Sequence, residues 1–163
     1  MSRSFTPKDW TDIAVPTNRR PFGFDWEEWG RLQALEVLAD AKRLREPDET
    51  RINLIGHSMG GHGAWYLGTT YPDKFAAVVP VAGYPERVRT DAQYEGHPHY
   101  AMLARAVNPG RVLTLKRNLL QSGVHILHGD TDTVVPTSNA RMMREVLAEF
   151  HPSFAYYALK YDV

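Results

Sequence analysis

The chain has 163 residues, enough for one ordinary domain, and 43% of them are hydrophobic, enough to build a core. Its 19 Lys plus Arg balance its 19 Asp plus Glu, so charge gives no reason to expect nucleic acid or an anionic membrane as a partner. Cysteine is absent, which excludes disulfides, thiolate metal sites and a cysteine nucleophile, and no apolar run approaches membrane-spanning length.

The opening MSRSFTPKDW carries no apolar stretch and does not read as a secretory signal, so it assigns no compartment. DIAVPT, residues 12–17, is a short apolar run ended by Pro16 and reads as a buried strand. Asp25 is placed to cap a helix, with Glu28 in capping-box register. Trp29, Leu32, Leu35, Leu38 and Ala39 then recur at helical spacing to about Arg45. Residues 52–55 form a short apolar strand and 59–71 the next helix. AAVVPVAG, 76–83, has the continuous apolar character of a strand covered on both faces, with Pro80 marking where its pairing stops.

Residues 84–108 read as a loop holding one helix near 101–106. A helix over 112–121 stops at Gly123, and VHILHG, 124–129, is another buried strand. Thr137 or Ser138 caps a helix running to about Phe150, and FAYYALKY, 154–161, is a last strand. Strands alternating with helices predict an α/β fold with a mainly parallel sheet, in a single domain over 1–163.

LIGHSMGGHGAW, residues 54–65, sets Gly-x-Ser-x-Gly between a strand and a helix, the pattern of a nucleophile elbow. A serine in so sharp a bend needs small neighbours two positions away, here Gly56 and Gly60. The bend lifts the Ser58 hydroxyl above the carboxyl end of the sheet. The helix that follows aims its first N–H groups and its positive dipole end at the same point. The N–H of Met59 is then placed to stabilise a developing oxyanion. The plain alternative is a glycine-rich turn with a capping serine.

Serine needs a base, and the base needs an orienting carboxylate. HGDTDTVVP, residues 128–136, follows a buried strand and offers two aspartates. Asp132, beyond the strand end, is the better candidate acid on the chain order serine then aspartate. Asp130 is better placed to brace the loop by bonding local backbone N–H groups. Turn chemistry alone would also explain either residue.

With both motifs in view the chain resembles the α/β-hydrolase superfamily, closest to its prolyl-oligopeptidase-like and esterase branch with polyester depolymerase-like and feruloyl-esterase-like members. GHSMGGHGAWYLGTTYPDKFAAVVPVAG and HILHGDTDTVVPTSNARMMREVL carry the likeness, and PTNRRPFGFDWEEWGR is similar to the segment before the elbow in some members. The resemblance implies a mainly parallel sheet with helices on both faces, Ser58 as nucleophile, Asp132 as acid and Met59 N–H as half of the oxyanion hole. No cofactor and no metal are expected.

The family pattern places its histidine after the strand that follows the acid's helix. That strand here is FAYYALKY, and no histidine follows it. Seven histidines are available. His57 and His62 flank the serine, where neither easily faces both Oγ and an aspartate on another loop. His125 and His128 belong to the strand before Asp132 and read as core or strand-end histidines. His97 and His99 have H-x-H spacing but no clustered carboxylate for a metal ion. His151 is the least unsuitable substitute, although it precedes the last strand.

The elbow strand also lacks the neighbour whose loop would give the second oxyanion N–H. The expectation is therefore an incomplete sheet of about five strands, without the first strands and the histidine loop, in a fragment of a longer hydrolase. An intact small protein that repacks its sheet or pairs with a second copy is the alternative. Two functions follow. One is a serine hydrolase that cleaves a small ester or, less favoured, a peptide through an acyl-enzyme. The other is a catalytically dead hydrolase-fold module for binding or oligomerisation. Arg19, Arg20 and Phe22 could line a substrate site or simply sit in a solvated loop.

Overall fold

The computed structural model describes residues 8–17, 24–26, 29–86, 96, 98–107 and 110–160. The chain divides into two compact units, Met1–Asp48 and Glu49–Val163.

The first unit is built on helix α1, Trp29–Arg45, within one residue or so of where the apolar spacing ends it. Lys42, Arg43 and Arg45 sit in its last turn, where positive charge suits the carbonyl end of the dipole. Glu46 takes a left-handed φ of 46° and donates its N–H to the Lys42 carbonyl at 2.9 Å, ending the helix before Pro47. Two expectations fail here. Residues 12–17 form exposed chain rather than a buried strand, with Ile13 and Val15 about half exposed. Three consecutive apolar residues do not make a strand unless a neighbour takes up their backbone groups, and no described strand does. Asp25 does not cap α1. It lies in a separate 3-10 turn, Phe24–Trp26, with φ 61°.

The second unit holds a four-stranded sheet in the order β1-β2-β3-β4, all parallel. The strands are β1 Asn53–His57, β2 Ala77–Val81, β3 Gly123–Gly129 and β4 Phe154–Leu159. The helices are α2 Met59–Thr70, α3 Tyr100–Val107, the single turn α4 Val112–Leu115, and α5 Ser138–Ala148. This is the expected α/β class, a parallel sheet flanked by helices. Its described sheet has four strands rather than about five, because residues 12–17 do not join it.

A sheet whose strands follow one another in space makes every crossover in the same direction, and right-handed crossovers then place their helices on one face. Accordingly α2 packs on β1 and β2, and α5 on β3 and β4. Between them lies the core of Trp65, Val78, Leu119, Val124, Ile126, Met143 and Leu147, all essentially buried. Alternate residues point the other way, and there Ile55, Tyr157 and Leu159 are exposed.

Pro80 lies inside β2, opposite Gly56, and pairing with β1 continues to His57 and Val81. Its missing N–H is felt on the other side. Pairing of β2 with β3 runs through Ala77 and Val78 and is next made at Val81 with Leu127. Gly123 begins β3 rather than stopping a helix, and the stretch before it is a 3-10 turn, Lys116–Gln121, after α4.

Candidate active site

Parallel strands bring all their carboxyl ends to one edge, so the residues after β1, β2 and β3 meet there. Ser58 joins β1 to α2 with φ 54° and ψ −116°, outside both the helical and the extended regions. Two bonds hold it in that conformation. Its N–H donates to the Val81 carbonyl at 2.9 Å, and its own carbonyl accepts the His62 N–H at 3.0 Å, the first bond of α2. Met59 opens α2, so its N–H lies in the first turn, at the positive end of the helix dipole.

The glycines divide differently from expectation. A Cβ on Gly56 would overlap the Gly60 carbonyl, so Gly56 must be small. A Cβ on Gly60 would meet nothing within 4 Å, and Gly60 is not small for its own sake. Gly61 is the second constrained position, because a Cβ there would come 2.7 Å from both the Gly83 Cα and the Val81 carbonyl oxygen. Backbone contact between the first turn of α2 and the end of β2 sets the bend.

Asp132 follows β3, and its side chain is only 8% exposed. The N–H groups of Val134 and Val135 both donate to its Oδ1, at 2.8 and 2.9 Å. Its Oδ2 lies 3.3 Å from Nε2 of His128, the penultimate residue of β3. Burial alone would push this carboxyl up. The bonds from Val135 and Val134 and the neighbouring His128 and His57 outweigh burial, and the net effect holds it below the usual carboxylate range. Loop bracing thus falls to Asp132 rather than Asp130. The side chain of Asp130 is exposed, and its N–H donates to the Leu159 carbonyl at 2.8 Å, extending the pairing with β4.

Ser58 and Asp132 border one cavity of about 210 Å³, together with His57, Ala82, Thr133, Val134 and Val135. Sequence separation hides this meeting, since β2 and everything after it lie between the two. His57 borders the same cavity from the end of β1, although adjacency to the serine argues against such a place. No periodicity marks Ala82, which takes a left-handed φ of 46° beneath the cavity.

The other histidines go elsewhere. His62 is buried in α2, stacked on Tyr84 with ring centroids 4.8 Å apart, and its Nδ1 lies 3.0 Å from the Tyr84 carbonyl oxygen. His125 is exposed on β3. His151 cannot substitute as the base. It sits at the amino end of β4, Nε2 lies 2.8 Å from the Leu119 carbonyl oxygen, and Nδ1 accepts the Ser153 N–H at 3.1 Å. Ser58 is at the opposite edge of the parallel sheet. His99 is exposed, while His97, Arg19, Arg20, Phe22 and Glu28 lie outside the described residues. Among the described residues no group of three or more His, Asp or Glu side chains is placed to hold a metal ion.

The chain matches a family model described as "Putative esterase" over residues 26–146. The chain belongs to that esterase family, and its fold is that of the α/β-hydrolase superfamily. It is 31% identical over 153 residues to an uncharacterized secreted protein of Arthroderma benhamiae, a match covering 86% of this chain and 16% of that protein. Among solved structures it is similar to a thermostable esterase at 23% identity and a TM-score of 0.61, over 80% of this chain and 28% of the other. A fluorophosphonate-binding serine hydrolase of Staphylococcus aureus is 19% identical with a TM-score of 0.58, over 78% of this chain and 54% of the other. An acylaminoacyl peptidase is 19% identical with a TM-score of 0.59, over 77% of this chain and 22% of the other. At these identities the structural likeness is one of fold. The chain spans 16% of the length of the curated relative.

Proposed function

We propose that this chain carries the nucleophile and acid of a serine hydrolase that cleaves a small ester through an acyl-enzyme. The observation that carries the reading is the cavity bordered by both Ser58 and Asp132. Ser58 Oγ attacks the carbonyl carbon, its proton passes to an imidazole in that cavity, and Met59 N–H stabilises the tetrahedral oxyanion. Asp132 fixes that imidazole's orientation and stabilises its charged form. Return of the proton to the leaving alcohol completes acylation, and water then releases the acid by the same steps in reverse order. Membership of the esterase family favours an ester over a peptide.

The imidazole comes either from His57, which borders the cavity, or from a histidine beyond the described residues. Hydrolysis of p-nitrophenyl acetate and of a peptide p-nitroanilide by the full chain tests the reading. Release from the ester that is lost in Ser58→Ala supports it. Ester hydrolysis that survives Ser58→Ala contradicts it, and faster release from the anilide would move the substrate class to peptides. Loss of ester turnover in His57→Ala would identify His57 as the base, and unchanged turnover would exclude it.

A further inference from the structure

We propose that His128 is a positioning residue that fixes the Asp132 carboxylate on the rigid end of β3, an inference that rests on the hydrolase reading above. The Val135 carbonyl can only accept a hydrogen bond, and His128 Nε2 lies 2.9 Å from it, so Nε2 carries the hydrogen. Asp132 Oδ2 lies 3.3 Å from the same nitrogen, a close contact beside the bond to Val135. Asp132 Oδ1 in turn accepts the Val134 and Val135 N–H groups. The loop 132–135 is thereby closed on itself at Oδ1 and tied to the sheet at the Val135 carbonyl, with Oδ2 in contact with the same ring.

The tie is rigid because His128 is itself held. It is 1% exposed and sits on a rung of the parallel ladder opposite Ala158. A carboxyl on a solvent-facing loop has a broad terminal torsion. Here Oδ1 accepts two backbone N–H groups and Oδ2 rests against the held His128 ring, so rotation of the carboxylate would forfeit three contacts together. His128 is not itself among the residues that line the cavity, and it acts through Asp132 and Val135, which are. Its Nδ1 is buried with no hydrogen-bond partner among the described residues. One nitrogen of the ring therefore does the holding.

That asymmetry gives the test. A glutamine amide lies near the position of Nε2, an asparagine amide near that of Nδ1, and leucine fills the space without a donor. His128→Gln, His128→Asn and His128→Leu are compared in the full chain by two readouts, with far-UV circular dichroism to establish folding. One is the rate of Ser58 labelling by a fluorophosphonate. The other is the acid titration of the Asp132 side-chain carboxyl followed by carbon NMR. Leucine and asparagine should slow labelling by about a hundredfold and glutamine by no more than about threefold, as expected when a reacting group is misplaced by about 1 Å. The Asp132 midpoint should rise with leucine and asparagine and stay with glutamine, because the lost N–H stabilises the ionised form.

Equal behaviour of glutamine and asparagine, or an unmoved Asp132 midpoint in a folded His128→Leu, overturns the proposal. If His128→Leu does not fold, the glutamine and asparagine pair decides. Absence of Ser58 labelling in the wild-type chain would count against the hydrolase reading alone, and the Asp132 titration would still decide the role of His128.

Discussion

At Ser58 the backbone is held in a region that costs about 1–3 kcal/mol for a residue with a side chain. Close glycine contacts and two backbone bonds impose that conformation, and the glycines can be tested one at a time. Gly56→Ala and Gly61→Ala should each destabilise by about 3 kcal/mol or more, because the new methyl meets backbone that cannot step aside. Gly60→Ala should leave stability unchanged or raise it by up to about 1 kcal/mol, since it enters open space on a helix. Urea unfolding of the three variants checks this contrast. Asp132 offers a second test at this scale. Its folded carboxyl titrates below the unfolded value near about 4, so its contribution to stability is present above that value. The contribution is lost as pH falls through the lower folded value. Asp132→Asn should therefore be less stable than wild type at neutral pH, and the gap should close in acid, as urea midpoints at about pH 7 and about pH 3 would reveal.

Among the elements, α2 and the three strands β2, β3 and β4 were legible as periodic or continuous apolar runs with caps or turns beside them. Their type follows from local chemistry, and the structure moves their ends by only a few residues. What failed depended on partners. Residues 12–17 are apolar enough for a strand yet pair with none of the described strands. Pro80 was expected to end a strand, but its one missing N–H interrupts only the ladder toward β3. Ser58 and Asp132 were legible because each sits in a local turn with recognisable chemistry. The contribution of His128 to Asp132 was not, because a strand-end histidine and an aspartate four residues later look the same whether or not their side chains meet. The two faces of the sheet yield a prediction in the same terms. Ile126→Ala should cost about 2–5 kcal/mol by leaving a cavity under α5, whereas Ile55→Ala, whose side chain is largely exposed, should cost well under about 1 kcal/mol. Thermal or urea unfolding separates the two.

For the whole molecule, family membership and fold rest on a match over residues 26–146 and on a parallel sheet shared with several hydrolases. The division at Asp48 leaves every cavity residue named above in the second unit, so the site's geometry is internal to Glu49–Val163. The proposed chemistry is that an elbow serine and a loop aspartate share a cavity in which the serine can be activated. Intact-mass analysis and peptide mapping of the full chain after exposure to a fluorophosphonate test that claim most directly. A single adduct is expected, on Ser58, that disappears in Ser58→Ala and forms far more slowly in Asp132→Asn. A folded chain that takes up no adduct, or takes it up on another residue, would contradict it.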